Sequence, residues 1–280
     1  MIIETDLKLA DGRVLHCYDT GPTDTVLPVL WHHGSTNIGS PPEPLFSEAA
    51  RHGMRWFSFD RPGYGGSSPH PGRTVGDAAT DAAEVADALG IARFATLGHS
   101  GGGPHALACA ALLPGRVLAV ASISGVAPYD AEGLDWYDGM APAGVASNRA
   151  AAEGRAAREA YEDTADPEAD FGFTPADEEA LNGRWSWLMS VVHRALEGGP
   201  AGAIADDLAA VAPWGFDPAE ITIPVLLVHG DADRVVPCGH GRWLGAHVPG
   251  AELWERPGDG HVTILDTGPA ALAWLSERAG

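Results

Sequence analysis

Residues 98–102 read Gly98-His99-Ser100-Gly101-Gly102 and directly follow the apolar run Phe94-Ala95-Thr96-Leu97. A helix-like stretch, residues 104–113, comes next. A serine between a strand and a helix in the pattern Gly-x-Ser-x-Gly is forced onto a tight turn, with its hydroxyl exposed and a helix N-terminus beneath it. Such a turn calls for a parallel strand and a crossover helix, and it makes Ser100 a candidate nucleophile. A serine hydroxyl is a weak nucleophile at neutral pH, so the chain must also supply a base, an acid and donors for a developing oxyanion.

The pattern on either side agrees with an α/β fold. Residues 2–9 and 13–20 alternate around Asp11-Gly12, a hairpin signal. Apolar strands are expected at residues 26–31, 54–59, 93–98, 117–123, 225–228 and 252–255. Helices are expected between them at 44–52, 74–89, 101–113, 238–247 and 267–278. Alternation of this kind implies a mostly parallel central sheet flanked by helices. It breaks between residues 128 and 215, where helical stretches occur without a strong strand; Thr174-Pro175-Ala176-Asp177 reads there as a helix start. The expected organisation is one core domain, residues 1–127 and 216–280, with a helical cap inserted at 128–215.

Charge and cysteine content narrow the function. The formal net charge is −21, which argues against nucleic-acid and anionic-membrane partners. The inserted segment has 17 acidic and 5 basic residues, contributing −12. No run approaches ~18 consecutive apolar residues, so no membrane span is expected. The N-terminus has neither a basic flank nor a long apolar stretch, so it does not read as a signal peptide. The three cysteines, Cys17, Cys109 and Cys238, are scattered and lack metal-ligand spacing. A reducing cytoplasmic setting without disulfides or metal is expected.

His261 is the candidate base. Gly258-Asp259-Gly260-His261 follows the last strand, and such loops lie at the carboxyl edge of a parallel sheet, where Ser100 also lies. Asp233, in the loop after the preceding strand, is the candidate acid; Asp231 reads as a turn residue and Asp130 as an alternative acid. The order serine, acid, histidine is that of one fold. Oxyanion donors are expected from the backbone N–H groups of Gly101 and Ser35, with His33 and Gly34 supporting the loop that carries Ser35.

These motifs, with Asp60-Arg61-Pro62-Gly63-Tyr64-Gly65-Gly66-Ser67 and Gly230-x-x-Asp233-x-x-Val236-Pro237, make the chain similar to the α/β-hydrolase superfamily. The resemblance is to its cap-containing serine hydrolases, the esterase and proline iminopeptidase-like branch. It implies an inserted helical cap, treats the stretch from Asp60 to Ser67 as structural, and implies acyl transfer through Ser100 without metal or organic cofactor. A serine at this position excludes the alkyl-enzyme chemistry of haloalkane dehalogenases and epoxide hydrolases, which need a carboxylate nucleophile.

A small neutral or apolar ester is the expected substrate. Proline iminopeptidase-like aminopeptidase activity, C–C, thioester or perhydrolytic chemistry, and a non-turnover small-molecule receptor on the same fold stay open. Trp136, Trp185, Trp187, Met189 and Trp214 of the insertion are expected to line the pocket. Trp185 and Trp187 stand two apart on an expected helix, so at least one should face the pocket or solvent.

Overall fold

A computed structural model describes residues 1–21, 27–166 and 169–280. Val26, the first residue expected of the third strand, and residues 167–168 of the expected insertion lie outside the described residues.

Eight strands form one sheet among the described residues, in the order β1-β2-β4-β3-β5-β6-β7-β8. They are β1 (Ile3–Lys8), β2 (Val14–Asp19), β3 (Leu27–His32), β4 (Met54–Phe59), β5 (Phe94–His99), β6 (Val117–Ile123), β7 (Val225–Gly230) and β8 (Glu252–Arg256). β1 and β2 form the expected hairpin and β2 runs antiparallel to β4; every other pairing is parallel. The central strands β5 and β7 are buried along their whole length. Such continuous apolar strands suit a parallel sheet covered on both faces.

Alternate side chains feed two cores. Val29 and Trp31 of β3, Ala95 and Leu97 of β5, and Leu226 and Val228 of β7 point to one face. There they meet α1 (Phe46–Arg51) and α10 (Gly268–Ala279). Leu30, Phe94, Val225 and Leu227 point to the other, against α2 (Asp77–Ala88), α3 (Gly102–Leu112) and α9 (Cys238–His247). Burying each of the large side chains contributes about 1.5–3 kcal/mol, which fixes strand register because a one-residue slip would invert both faces.

Between β6 and β7 the chain forms α4 (Pro142–Ala152), α5 (Arg155–Glu162), α6 (Pro175–Asn182), α7 (Trp187–Glu197) and α8 (Ala201–Val211). Thr174 and Asp177 close a capping box at the start of α6, as the sequence pattern predicts. Among the described residues no helix is long and apolar enough to cross a membrane.

Candidate active site

Ser100 sits between β5 and α3 with φ +54°. A positive φ costs a non-glycine residue about 1–3 kcal/mol, so the surroundings must hold it. Ser100 N donates to the Ile123 carbonyl at 2.9 Å, and Gly103 N donates to the Ser100 carbonyl at 2.9 Å. Gly102 packs so closely on β3 that a Cβ there would run into the carbonyl of His32. Two other non-glycine residues among those described have positive φ, Thr36 at +58° and Ser124 at +48°. They follow β3 and β6, so all three strained residues cluster at the carboxyl edge of the sheet.

The loop after β3 approaches the same turn. Ser35 N would lie 3.1 Å from a Cβ built on Gly101, so the amides of residues 35 and 101 are neighbours. Neither N–H donates a hydrogen bond among the described residues. His33 holds the loop from behind: Nδ1 donates to the Gly34 carbonyl at 2.8 Å, and Nε2 accepts from Arg61 N at 3.0 Å. Burial, reinforced by the Arg61 charge, drives the His33 pKa well below that of an ordinary imidazole, so the ring is neutral.

His261 follows β8 on the loop expected for it, and its Nδ1 lies 2.8 Å from Asp233 Oδ2. The other Asp233 oxygen accepts from Val235 N and Val236 N, each at 2.9 Å. Burial works to raise the Asp233 pKa, but the His261 charge and hydrogen bond outweigh it, and the carboxyl lies below its ordinary value. Nδ1 of His261 is committed to Asp233, so Nε2 is the ring nitrogen that remains for a substrate-side proton. Asp130 is exposed, and Asp231 accepts from Gly258 N at 2.7 Å, a turn contact.

Two residues to which the sequence patterns give no role beside the histidine brace His261. His99 donates from Nε2 to the His261 carbonyl at 3.0 Å, and its ring centroid is 4.9 Å from that of His261. Burial lowers the His99 pKa to about 3, so no second cation competes beside an imidazolium. Asp177, at the start of α6, accepts from Val262 N at 2.9 Å and from Thr263 N at 2.8 Å. The capping pattern predicts its local bonds; the bonds across the fold depend on tertiary placement.

Ser100, Gly101 and Ser35 open into a cavity of about 580 Å³. Val75, Val126, Trp136, Met140, Val235 and Val236 give it an apolar wall, while Ser147, Asn148, Arg158 and Asp207 make a polar wall. Of the five residues expected to line a pocket, Trp136 does so. Trp185 precedes α7 instead of standing within it, and donates to Asp266 at 2.9 Å. Trp187 packs edge-on against Trp31 in the core, with ring centroids 6.3 Å apart. Both indoles are buried, so the expectation that one would face the pocket or solvent does not hold: the helical spacing assumed for them begins only at Trp187. Met189 faces solvent, and Trp214 packs with Val75 and Ala209. Among the described residues no cluster of His, Cys, Asp or Glu is arranged to hold a metal ion.

Residues 28–267 match the alpha/beta hydrolase fold family. The chain belongs to the α/β-hydrolase family. A non-heme chloroperoxidase of Streptomyces lividans is 31% identical to this hydrolase over 233 residues, 81% of this chain and 82% of the relative. A bifunctional esterase/perhydrolase of Acinetobacter calcoaceticus is 28% identical over 260 residues, 90% of each chain. A crystal structure of a hydrolase from Pseudomonas aeruginosa superposes with a TM-score of 0.74 at 22% identity, covering 99% of this chain and 98% of that one.

Proposed function

We propose that this hydrolase cleaves small neutral or apolar esters through an acyl-enzyme on Ser100. One observation carries the reading: a buried Asp233–His261 pair at 2.8 Å shares the sheet edge with a strained serine that opens into a cavity. In the proposed cycle Ser100 Oγ attacks the ester carbonyl while His261 Nε2 takes its proton. Asp233 stabilises the imidazolium, and the N–H groups of Gly101 and Ser35 receive the oxyanion. His261 then gives its proton to the leaving alkoxide. A water deprotonated by the same ring attacks the acyl carbonyl, releasing the acid and restoring the serine hydroxyl. The helices between β6 and β7 act as the cap that shapes the acyl and alcohol sites.

A second reading rests on the relatives' names, a chloroperoxidase and an esterase/perhydrolase. Hydrogen peroxide in place of water would attack the same acyl-enzyme, releasing a peracid and the free serine. The test is a panel of p-nitrophenyl acetate and butyrate, a prolyl naphthylamide and a thioester, with and without peroxide. Ester turnover is expected in the wild type and is lost in Ser100→Ala. Equal ester rates in both proteins would overturn the nucleophile assignment, and amide cleavage without ester cleavage would favour the aminopeptidase.

A further inference from the structure

We infer that Asp206, on α8 of the segment between β6 and β7, is a positioning residue for the oxyanion hole. The inference rests on the acyl-transfer reading above.

The Asp206 carboxylate is 4% exposed and accepts five hydrogen bonds. Ser35 Oγ donates to Oδ2 at 3.2 Å and Tyr64 OH donates to the same oxygen at 2.9 Å. Arg61 donates from Nε at 3.1 Å and from Nη2 at 2.6 Å, and Arg73 Nη2 donates at 2.5 Å. Each of these partners except Arg73 also holds the loop that carries the Ser35 amide. Arg61 Nη1 donates to the His33 carbonyl and Nη2 to the Gly34 carbonyl at 3.1 Å. Tyr64 OH accepts from Thr36 N at 3.0 Å, which secures the strained residue just past the donor. Residues 33–36 are therefore tied from both ends to one carboxylate, and that carboxylate comes from a helix outside the sheet.

Charge makes the inference testable in sign. Burial works to raise the Asp206 pKa, but Arg61 and Arg73 hold it well below an ordinary carboxylate, so two guanidiniums face one anion. His33 and His105, packed beside it, are held neutral by burial and the Arg61 charge, and Tyr64 stays protonated because burial and the Asp206 charge raise its pKa. If the cluster acted only through its field, removing the Asp206 charge would leave more positive potential near the oxyanion and would raise the rate. If it acts by positioning, the same change loosens the Ser35 loop and lowers the rate.

The experiment compares wild type, Asp206→Asn, Ser35→Ala and Tyr64→Phe on p-nitrophenyl butyrate, with kcat, KM and the pH dependence of kcat/KM. For Asp206→Asn, kcat is expected to fall about 10–100-fold, the scale of a misplaced or lost oxyanion donor. KM stays within about threefold and the pH midpoint of kcat/KM is unmoved, because the Asp233–His261 pair is untouched. Ser35→Ala and Tyr64→Phe show the same pattern at smaller size, and they decide the question by themselves if Asp206→Asn does not fold. A kcat that is unchanged or raised, or a loss confined to KM, overturns the inference while leaving the esterase reading intact. A wild type without ester turnover overturns both.

Discussion

Asp233 and Asp231 lie two residues apart, yet only one touches the histidine. Asp233 accepts from two backbone amides with one oxygen, which leaves the other aimed at His261 Nδ1. Asp231 is spent on Gly258 N. Asp233→Asn is expected to lower kcat by about 10⁴-fold, because an amide cannot hold the productive tautomer or stabilise the imidazolium. Asp231→Asn removes one turn contact and is expected to keep kcat within about threefold. Steady-state kinetics on p-nitrophenyl butyrate decide, and a reversed order would move the acid to Asp231. The residues proposed for this chemistry are legible in the chain because a strand-to-helix turn, a loop after the last strand and an aspartate three residues past a strand-ending glycine each leave a local pattern. Asp206 leaves a weaker one, two adjacent acids in an otherwise apolar helix, and Arg61 and Tyr64 read only as parts of a glycine-rich loop. What ties these three together is contact across the fold, which no local pattern encodes.

At the scale of elements, β4 and β6 occupy the residues their apolar runs predict, since burial on two faces leaves little freedom in where they begin. The helix expected at 74–89 starts at Asp77, with Thr74 N and Oγ1 donating to the Asp77 carboxylate before it. Trp185 and Trp187 show where periodicity misleads: a turn before α7 lets both indoles turn inward. The α6 capping box was readable, but its anchoring of the His261 loop was not, because Asp177 meets residues 262 and 263 only after the segment docks. Asp177→Ala removes the acid half of the α6 capping box and three bonds to that loop, at a cost of about 2–4 kcal/mol. Urea unfolding with parallel kcat measurement checks this; a loss below about 1 kcal/mol would show that the loop is held by other contacts.

Across the whole molecule, the carboxylates of Asp206 and Asp233 and the buried imidazoles respond to pH in different ranges. His32, His33, His99, His105, His229 and His240 are all buried, and burial lowers each pKa. Below about pH 6.5 the unfolded chain takes protons that these rings refuse, so stability falls as the pH falls, by up to about 1.4 kcal/mol per unit for each ring. Asp206 and Asp233, with lowered pKa values, contribute stability that is fully present above the ordinary carboxylate range and is lost only at lower pH. His16, raised by hydrogen bonds to Asp6 and Glu4 against partial burial, works in the opposite direction. Set against a typical stability of about 5–15 kcal/mol, the histidines predict cooperative unfolding between about pH 4.5 and 5.5. Circular dichroism across that range is the check, and a protein still folded at about pH 3.5 contradicts it. The proposed chemistry brings the sheet edge, the donor loop, the histidine loop and the covering helices to bear on one hydroxyl, that of Ser100. Fluorophosphonate labelling followed by tryptic mapping tests that convergence most directly, because the peptide of residues 94–116 contains Ser100 as its single serine. A single adduct on that peptide, absent from Ser100→Ala, is the expected result; an adduct elsewhere, or equal labelling of the variant, would contradict the account.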